Sequence, residues 1–426
     1  MTNPSVLMVA FHYPPCVGGS GIHRTLKFTR YLPERGWQPL VLSAHPRAYQ
    51  QVGDDRMKEI PRGVPVTRAF ALDNGRHFAL GGRHIRALGL PDRWVSWCLG
   101  AVPAGLTMIR RYRPAALWST YPIATAHLIG WILGRLSGLP WVADFRDSMT
   151  DDGYPSEPMM RRAHLAIERR IVASASRIVF TTRSTRDMYL KRYPQLDPAR
   201  CLVIQNGYDE EDFVALRRSS STASAGHARP VRLLHAGVLY TDDRDPLPLF
   251  RAVAKLKEHG RISASSVQLD LRASGSETYY KQVIRNLNID DLVRLLPAIP
   301  YRDALLDCAD ADGLLVFQGA SCNHQIPAKV YEYLRLRKPI FALTSAMGDT
   351  ADLLRENKGA TIADLAREGE IYVALPRFVD AVRRGAHPLP DSETVRRYSR
   401  ASQAAELAAC LSAVAGRTAQ ETPCVI

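Results

Sequence analysis

The sequence predicts an α/β protein built from two doubly wound domains, each a parallel sheet with helices on both faces. Apolar runs that suit buried strands alternate with helical segments along most of the 426 residues. This pattern starts twice, at residues 6–11 and 231–237, and both starts lead into glycine-containing turns. Residues 217–229 between the two halves are rich in Ser, Ala and Arg without periodicity, as linkers are. We therefore expect an N-terminal domain at 1–213, a flexible linker at 214–230, a C-terminal domain at 231–390, and a crossover helix with its tail at 391–426.

The first domain opens with a strand, a glycine loop and a helix. The strand at 6–11 leads through Gly18 and Gly19 into a predicted helix at 22–35. Glycines let backbone amides approach a ligand closely, which favours phosphate binding. A dinucleotide-binding fold is disfavoured, because Arg24 stands where its third glycine should be and no acidic residue ends the next strand.

Three charged residues follow the buried strand predicted at 139–143: Asp144, Arg146 and Asp147. Open α/β sheets bind their ligands outside the carboxyl ends of the strands, so these side chains are candidates for a functional site. A salt-bridged turn is the alternative interpretation of the same charges.

The second domain continues with strands predicted near 267–273, 293–297, 312–317 and 339–344. Residues 326–334 precede the last of them and are predicted to form a loop and a helix that Pro327 opens. The uncapped N–H groups at such a helix start attract anions. Lys329 and Glu332 lie one helical turn apart, which suits a nucleotide, because the lysine can meet phosphates while the carboxylate accepts from a ribose diol. An ordinary helix with a solvated Lys–Glu pair is the alternative.

The composition limits the compartment and the partners. The net charge is +14, from 56 basic and 42 acidic residues, which favours anionic partners such as nucleotide phosphates or an acidic membrane surface. The seven cysteines are scattered and form no CxxC pair, so we expect a reducing, cytoplasmic location without a zinc site or a disulfide framework. No basic motif interleaved with aromatic residues supports nucleic-acid binding.

One uncharged run, residues 94–109, has to be weighed as a membrane segment. It has 16 residues, which is too short to span a bilayer. Arg93 and Arg110 flank the run, and Trp94 and Trp97 lie within it, so it can lie at a membrane interface. A buried core helix is the other interpretation.

Five short motifs follow one another along the chain, and with them it resembles the retaining glycosyltransferases of family 4, which have the GT-B fold. The motifs are Tyr-Pro-Pro-Cys-Val-Gly-Gly at 13–19, Trp-Val-Ala-Asp-Phe-Arg-Asp at 141–147, Asn-Gly-Tyr-Asp at 206–209, His-Ala-Gly at 235–237 with Arg-Asp-Pro at 244–246, and Ile-Pro-Ala-Lys-Val-Tyr-Glu-Tyr-Leu at 326–334. The resemblance covers nearly the whole chain. It implies two Rossmann-like domains facing each other across a cleft, with the C-terminal helix packing back on the first domain.

The resemblance also implies two sets of site residues. The residues expected to bind the nucleotide sugar are Gly18, Gly19, Gly237, Arg244, Ile326, Lys329 and Glu332, with His324 and Gln325 near the donor sugar. The catalytic set is Asp144, Arg146 and Asp147, in the acceptor-side domain. Three positions depart from the common pattern: Val238 replaces an arginine, His324 a glutamate and Arg146 a histidine.

The implied activity is transfer of a sugar from a nucleotide-diphosphate sugar to a hydroxyl group, with retention at the anomeric carbon and without a metal or cofactor. The basic charge favours an acceptor at the cell envelope, either a polysaccharide or a lipid-linked saccharide such as lipopolysaccharide. The protein is then expected on the inner face of the cytoplasmic membrane. Two alternatives stay open: a sugar-nucleotide epimerase of the same fold, and a catalytically inactive subunit.

Overall fold

A computed structural model describes residues 3–17, 21–54, 56–77, 89–214, 229–241 and 243–416. They form two compact units. The first unit contains the described residues up to Asn206 together with those from Arg400 onward, and the second contains Gly207–Ser399. Gly18, Gly19 and most of the predicted linker lie outside the described residues.

The first unit is built on a parallel sheet, of which the described residues form seven strands: β1 (Ser5–Val9), β2 (Gln38–Ala44), β3 (Val66–Ala69), β4 (Ala116–Thr120), β5 (Trp141–Phe145), β6 (Arg177–Phe180) and β7 (Cys201–Val203). Their order is β3-β2-β1-β4-β5-β6-β7. Val6 to Val9 are fully buried, because central parallel strands are covered on both faces. The strand order reverses between β1 and β4, which is where ligand sites form in such sheets.

The second unit has a parallel sheet of the same kind, with six strands in the described residues: β8 (Val231–Ala236), β9 (Val267–Arg272), β10 (Val293–Leu296), β11 (Gly313–Gln318), β12 (Ile340–Thr344) and β13 (Ala360–Ala363). Their order is β10-β9-β8-β11-β12-β13, so the reversal lies between β8 and β11. The predicted α/β class with two doubly wound sheets is confirmed.

Helices connect the strands in both units. Within the described ranges they are α1 (Gly21–Tyr31), α2 (Asn74–His77), α3 (Trp97–Tyr112), α4 (Ala124–Ser137), α5 (Pro158–Ser174), α6 (Arg183–Arg192), α7 (Glu210–Val214), α8 (Leu247–Glu258), α9 (Glu277–Asn286), α10 (Tyr301–Asp310), α11 (Ala328–Leu336), α12 (Asp349–Asn357), α13 (Glu368–Arg383), α14 (Ser392–Arg396) and α15 (Arg400–Val414). The first unit contains α1 to α6 and α15, and the second contains α7 to α14.

The units divide the chain at positions other than the predicted domain limits. Residues 207–213 belong to the second unit, because Tyr208 and Phe213 pack in its core. The predicted C-terminal crossover helix is two helices, of which α14 stays with the second unit. The other, α15, packs against α1 in the first unit, where Trp37 Nε1 donates to Ser412 Oγ at 3.2 Å. The C-terminal helix therefore packs back on the first domain, as predicted.

Local chemistry explains the other differences from the predicted elements. The helix predicted at 22–35 ends at Tyr31, since Pro33 has no N–H to continue it and opens a separate 3-10 turn. The sequence analysis missed β3 and β13, because each has only four residues and neither is a continuous apolar run.

The uncharged run at 94–109 belongs to the core of the first unit. Trp97 is fully buried, and Trp94 packs against the core while its Nε1 donates to the Ala48 carbonyl at 3.1 Å. Both tryptophans are thus unavailable as interfacial anchors, although Leu99 of α3 is 75% exposed. No helix in the described part of the chain combines the length and apolarity needed to cross a bilayer.

Candidate functional site

A cavity of about 280 Å³ lies in the second unit at the carboxyl ends of β8 and β9. This volume is near the lower end of the roughly 300–1,000 Å³ usual for ligand pockets. Its walls come from the ends of these two strands, from the loop before α10, and from α10 and α11. The lining residues are Ala236, Gly237, Arg272, Ala273, Ile299, Tyr301, Ala304, Leu305, Cys308, Lys329, Glu332 and Tyr333.

Lys329 is held at the end of β8 by two acceptors. Its ammonium donates to the Ala236 carbonyl at 2.8 Å and lies 3.3 Å from His235 Nε2. His235 Nδ1 lies 2.9 Å from the Leu315 carbonyl, so Nδ1 carries the hydrogen and Nε2 accepts from the lysine. Burial, together with the positive charge of Lys329, holds the pKa of His235 well below 6.5, in keeping with a neutral ring. The Lys329 ammonium therefore lies at the carboxyl end of β8, where a cation can meet an anionic ligand.

Two glycines make the close approaches at this site possible. Gly237 has φ +132°, and a Cβ there would lie 2.5 Å from Lys329 Nζ. A Cβ on Gly319, directly after β11, would overlap the Asp243 carbonyl oxygen. Glycine at these two positions lets the lysine and the loop that carries Arg244 close on the strand ends.

Arg244 adds a second cation. Its guanidinium lies 5.8 Å from the centre of the Tyr240 ring, and its Nε is 4.0 Å from Asp243 Oδ2. Burial, reinforced by the charge of Arg244, lowers the pKa of Lys329 from 10.5 to about 8. A pair of neighbouring cations favours an anion that carries more than one negative charge.

Glu332 supplies a carboxylate to the same cavity. Its Oε1 accepts a hydrogen bond from the Tyr301 hydroxyl at 2.7 Å. The structure thus brings together Gly237, Lys329 and Glu332 in one cavity wall, with Arg244 beside the lysine. A cationic end and a carboxylate match the needs of a nucleotide, namely phosphates and a ribose diol.

The loop before α11 differs in detail from the prediction. Pro327 is the N-cap of α11 rather than its first helical residue. The Gln325 amide donates to the Cys322 carbonyl at 2.9 Å, and its own carbonyl accepts from Thr350 Oγ1 at 3.1 Å. The backbone N–H and C=O of Gln325 therefore both have hydrogen-bond partners within the protein. The half-buried His324 lies on the same loop. Ile326 packs against the core around α11.

Asp144 in the first unit is part of a buried ion pair. Its Oδ1 accepts from Arg24 Nη2 at 2.8 Å, and its Oδ2 accepts from Arg24 Nε at 3.0 Å and from Thr120 Oγ1 at 2.9 Å. Arg24 also donates to the carbonyls of Ile204 and Gln205, which follow β7. This geometry matches the alternative interpretation of these charges as a salt bridge, while the catalytic role of Asp144 stays a prediction.

Arg146 and Asp147 follow β5 and lie close enough to interact. Arg146 is buried and its pKa is lowered, first by burial, while Asp147 acts in the opposite direction. A Cβ on Gly21, the first residue of α1, would lie 2.8 Å from Arg146 Nη1 and 3.0 Å from His12 Nδ1. Arg146 thus faces the start of α1, whereas the preceding loop with Gly18 and Gly19 is outside the described residues.

Arg272, Tyr301 and Cys308 are among the lining residues that the sequence analysis missed. Arg272 ends β9, and its Nε donates to Asp307 Oδ2 at 2.6 Å. Its position at the carboxyl end of a strand, where open α/β sheets bind ligands, is a sequence signal that could have identified it. Tyr301 and Cys308 lie on α10 and reach the cavity only through the packing of that helix. Burial raises the pKa of the Cys308 thiol to about 12, so it stays protonated. Among the described residues, no group of three or more His, Cys, Asp or Glu is placed to hold a metal ion.

Comparisons with known proteins agree with this architecture. Residues 19–207 match a family model described as "Glycosyl transferase 4-like domain". No curated protein matches the chain. Three solved structures illustrate the likeness, each covering nearly all of both chains. Alr3699/HepE from Anabaena, in complex with UDP and glucose, is 15% identical, with 97% of each chain covered and a TM-score of 0.57.

The other two structures are named for different activities. The lipopolysaccharide outer core galactosyltransferase WaaB is 11% identical, covers 96% of this chain and 99% of its own, and has a TM-score of 0.61. A putative UDP-N-acetylglucosamine 2-epimerase from Listeria monocytogenes is 11% identical, with 100% of both chains covered and a TM-score of 0.58. The first half of this protein thus matches a glycosyl transferase 4-like domain, and the chain as a whole has the GT-B fold.

Proposed function

We propose that the protein is a glycosyltransferase that uses a nucleotide-diphosphate sugar. The observation that carries this proposal is the cavity in which Lys329 and Gly237 meet Glu332, with Arg244 beside the lysine. The match of residues 19–207 to a glycosyl transferase 4-like domain supports the reaction class. The Anabaena structure with UDP and glucose makes a UDP-sugar the first donor to test.

The candidate residues have the following roles in the proposed reaction. Glu332 accepts hydrogen bonds from the ribose diol, and the base lies towards Ala273 and Ile299. Lys329 and Arg244 hold the diphosphate and stabilise the charge that develops on it as the sugar leaves. The transfer retains the anomeric configuration and needs no metal. Asp147 and Arg146 remain the candidates in the first unit for positioning the acceptor hydroxyl or the donor sugar.

The proposed acceptor is a cell-envelope polysaccharide or a lipid-linked saccharide. Support comes from the net charge of +14 and from the shared fold with a lipopolysaccharide galactosyltransferase. Leu99 on α3 is exposed, and Arg110 and Arg111 end the same helix. Such a surface suits peripheral contact with an anionic membrane on its cytoplasmic face.

Replacing Glu332 with alanine is expected to weaken donor binding at least tenfold, because the ribose diol loses its charged acceptor. Thermal shifts of the purified protein with UDP-, GDP-, ADP- and dTDP-sugars measure this, since a ligand of the native state raises the melting temperature. One nucleotide class should stabilise the wild type and fail to stabilise the variant. A donor that shifts both proteins equally removes Glu332 from the site.

Donor affinity is also expected to fall as the pH rises through about 8, the pKa of Lys329. Above this pH the lysine loses the charge that attracts the diphosphate. The stability of the fold changes with pH in the opposite direction. Because the pKa of Lys329 is lowered on folding, the unfolded chain binds more protons than the folded chain between about pH 8 and 10.5, so the contribution of this lysine to stability rises over that window. Calorimetric titration with UDP between about pH 7 and 9 should show a fall in affinity that is absent in Lys329→Met.

A sugar-nucleotide epimerase is the second candidate, because the Listeria protein shares the fold over its full length. An epimerase changes the sugar of its nucleotide without any acceptor. Incubation with UDP-N-acetylglucosamine alone, followed by NMR of the sugar, separates the two activities. Appearance of the 2-epimer would favour this candidate over the transferase.

A further inference from the structure

The hydroxyl group of Tyr301 binds the carboxylate to which the proposed function assigns the ribose. The Tyr301 oxygen lies 2.7 Å from Glu332 Oε1 and 3.4 Å from Asp212 Oδ2. A phenolic hydroxyl has one hydrogen to donate, and the first of these distances is the usual length of an O–H···O bond while the second is beyond it. Glu332 is therefore the acceptor of this hydrogen. Tyr301 and Glu332 both line the cavity, so their bond is made at the wall that a ligand meets.

The helix that carries Tyr301 is fixed to the sheet and to α11. Asp307 of α10 accepts from Arg232 Nη2 of β8 and from Arg272 Nε of β9, both at 2.6 Å. On the other side of α10, Leu305 and Cys308 are each 3% exposed and belong to the core cluster that also contains residues of α11. Tyr301, the first residue of α10, thus starts from a backbone whose position is set by ion pairs and by packing.

A fixed donor beside Glu332 has a consequence for ligand binding. A glutamate side chain loses rotamer freedom when it binds a ligand, and this loss weakens the binding. A carboxylate that is already hydrogen-bonded to a rigid tyrosine has less of this freedom to lose. Its two oxygens together offer about four lone-pair positions, so one bond from Tyr301 is compatible with two more from the hydroxyls of a ribose.

We propose that Tyr301 is a positioning residue, whose hydroxyl orients the Glu332 carboxylate towards the two ribose hydroxyls and makes the site selective for donors with an intact ribose diol. The inference rests on the proposed function, in which Glu332 binds this diol. Tyr301 acts through the carboxylate and needs no contact of its own with the nucleotide. Its hydroxyl therefore matters for ligands that carry the diol and is without effect on ligands that lack it.

Replacing Tyr301 with phenylalanine removes the hydroxyl and keeps the ring. We expect Tyr301→Phe to weaken UDP binding about tenfold, the effect of one hydrogen bond to a charged group. The affinity for 2′,3′-dideoxyuridine diphosphate, which lacks both ribose hydroxyls, should stay within about twofold of that of the wild type. Calorimetric titration of the full chain with each of the two nucleotides measures both affinities.

Two further variants serve as controls. Tyr279→Phe removes a hydroxyl from a tyrosine of similar exposure, 45% against 37% for Tyr301. Tyr279 lies on α9, which supplies none of the described residues that line the cavity, so its UDP affinity should equal that of the wild type. Adding Tyr301→Phe to Glu332→Ala should weaken UDP binding no further than Glu332→Ala alone, because the tyrosine then has no carboxylate to orient.

Two results would overturn the inference while leaving the proposed function intact. One is UDP binding by Tyr301→Phe as tight as that of the wild type. The other is an equal loss of affinity for UDP and for the dideoxy nucleotide, which would mean that the hydroxyl only supports the local structure. A wild-type protein that does not bind UDP is a different result, because it contradicts the proposed UDP donor and overturns the inference with it.

Discussion

Replacing Asp144 with asparagine is expected to lower the free energy of unfolding of the first unit by about 3–5 kcal/mol. The Asp144 and Arg24 side chains are 0% and 1% exposed, respectively, and share two hydrogen bonds. Asparagine keeps the shape of the side chain but leaves the buried Arg24 charge without its counter-ion. Arg24 also connects α1 to the segment after β7 by donating to the carbonyls of Ile204 and Gln205. The loss of stability should therefore extend to the packing of these elements against the sheet.

Urea unfolding followed by tryptophan fluorescence measures this effect. All six tryptophans belong to the first unit, at positions 37, 94, 97, 118, 131 and 141, so the signal reports on that unit. Asp187→Asn is the matched control, because the ion pair of Asp187 with Arg186 is exposed and worth less than about 1 kcal/mol. The double change Arg24→Met with Asp144→Leu should recover much of the lost stability. Full stability of Asp144→Asn with loss of transfer would make Asp144 a reactant.

Replacing Lys329 with methionine is expected to weaken UDP binding roughly 10- to 150-fold, which corresponds to the about 1.5–3 kcal/mol of a hydrogen bond to a charged group. The lysine is held beside Gly237 by the Ala236 carbonyl and His235, so it needs little rearrangement to meet a diphosphate. Its lowered pKa shows that burying this charge costs stability. Methionine should therefore leave the melting temperature of the free protein unchanged or raise it.

Calorimetric titration with UDP tests this prediction. Lys255→Met is the control, since Lys255 is 60% exposed and pairs with Glu368 on the surface of the same unit. Its UDP affinity should equal that of the wild type. An affinity of Lys329→Met within about twofold of the wild type would show that the diphosphate does not contact this residue.

The predicted positions of the strands and of the Lys329–Glu332 helix agree with the structure because they depend on local patterns. Buried parallel strands are continuous apolar runs, and β1 follows this rule from Val6 to Val9 and β11 from Gly313 to Phe317. The GT-B assignment came from motifs in their order along the chain, and the comparison with solved structures confirms it. Short strands such as β3 carry too few residues for such a pattern.

The ion-pair partner of Asp144 could not be predicted from local sequence patterns. Its position after β5 is visible in the sequence, but its ion-pair partner is Arg24, 120 residues earlier in the chain. The same holds for Tyr301, whose hydroxyl reaches Glu332 from 31 residues away, and for Gly21, whose neighbours are His12 and Arg146. None of these contacts follows from spacing along one element.

The sequence by itself therefore determined the two doubly wound sheets, the order of the motifs and the placement of Lys329 and Glu332 on one helical face. These features follow from residue periodicity and from the fixed geometry of a helical turn. Only the tertiary structure decided which charged groups bind one another and which line the cavity. The physical reason is that burial and the nearest counter-charge set the role of an ionisable group, and both come from segments that meet only when the sheets are assembled.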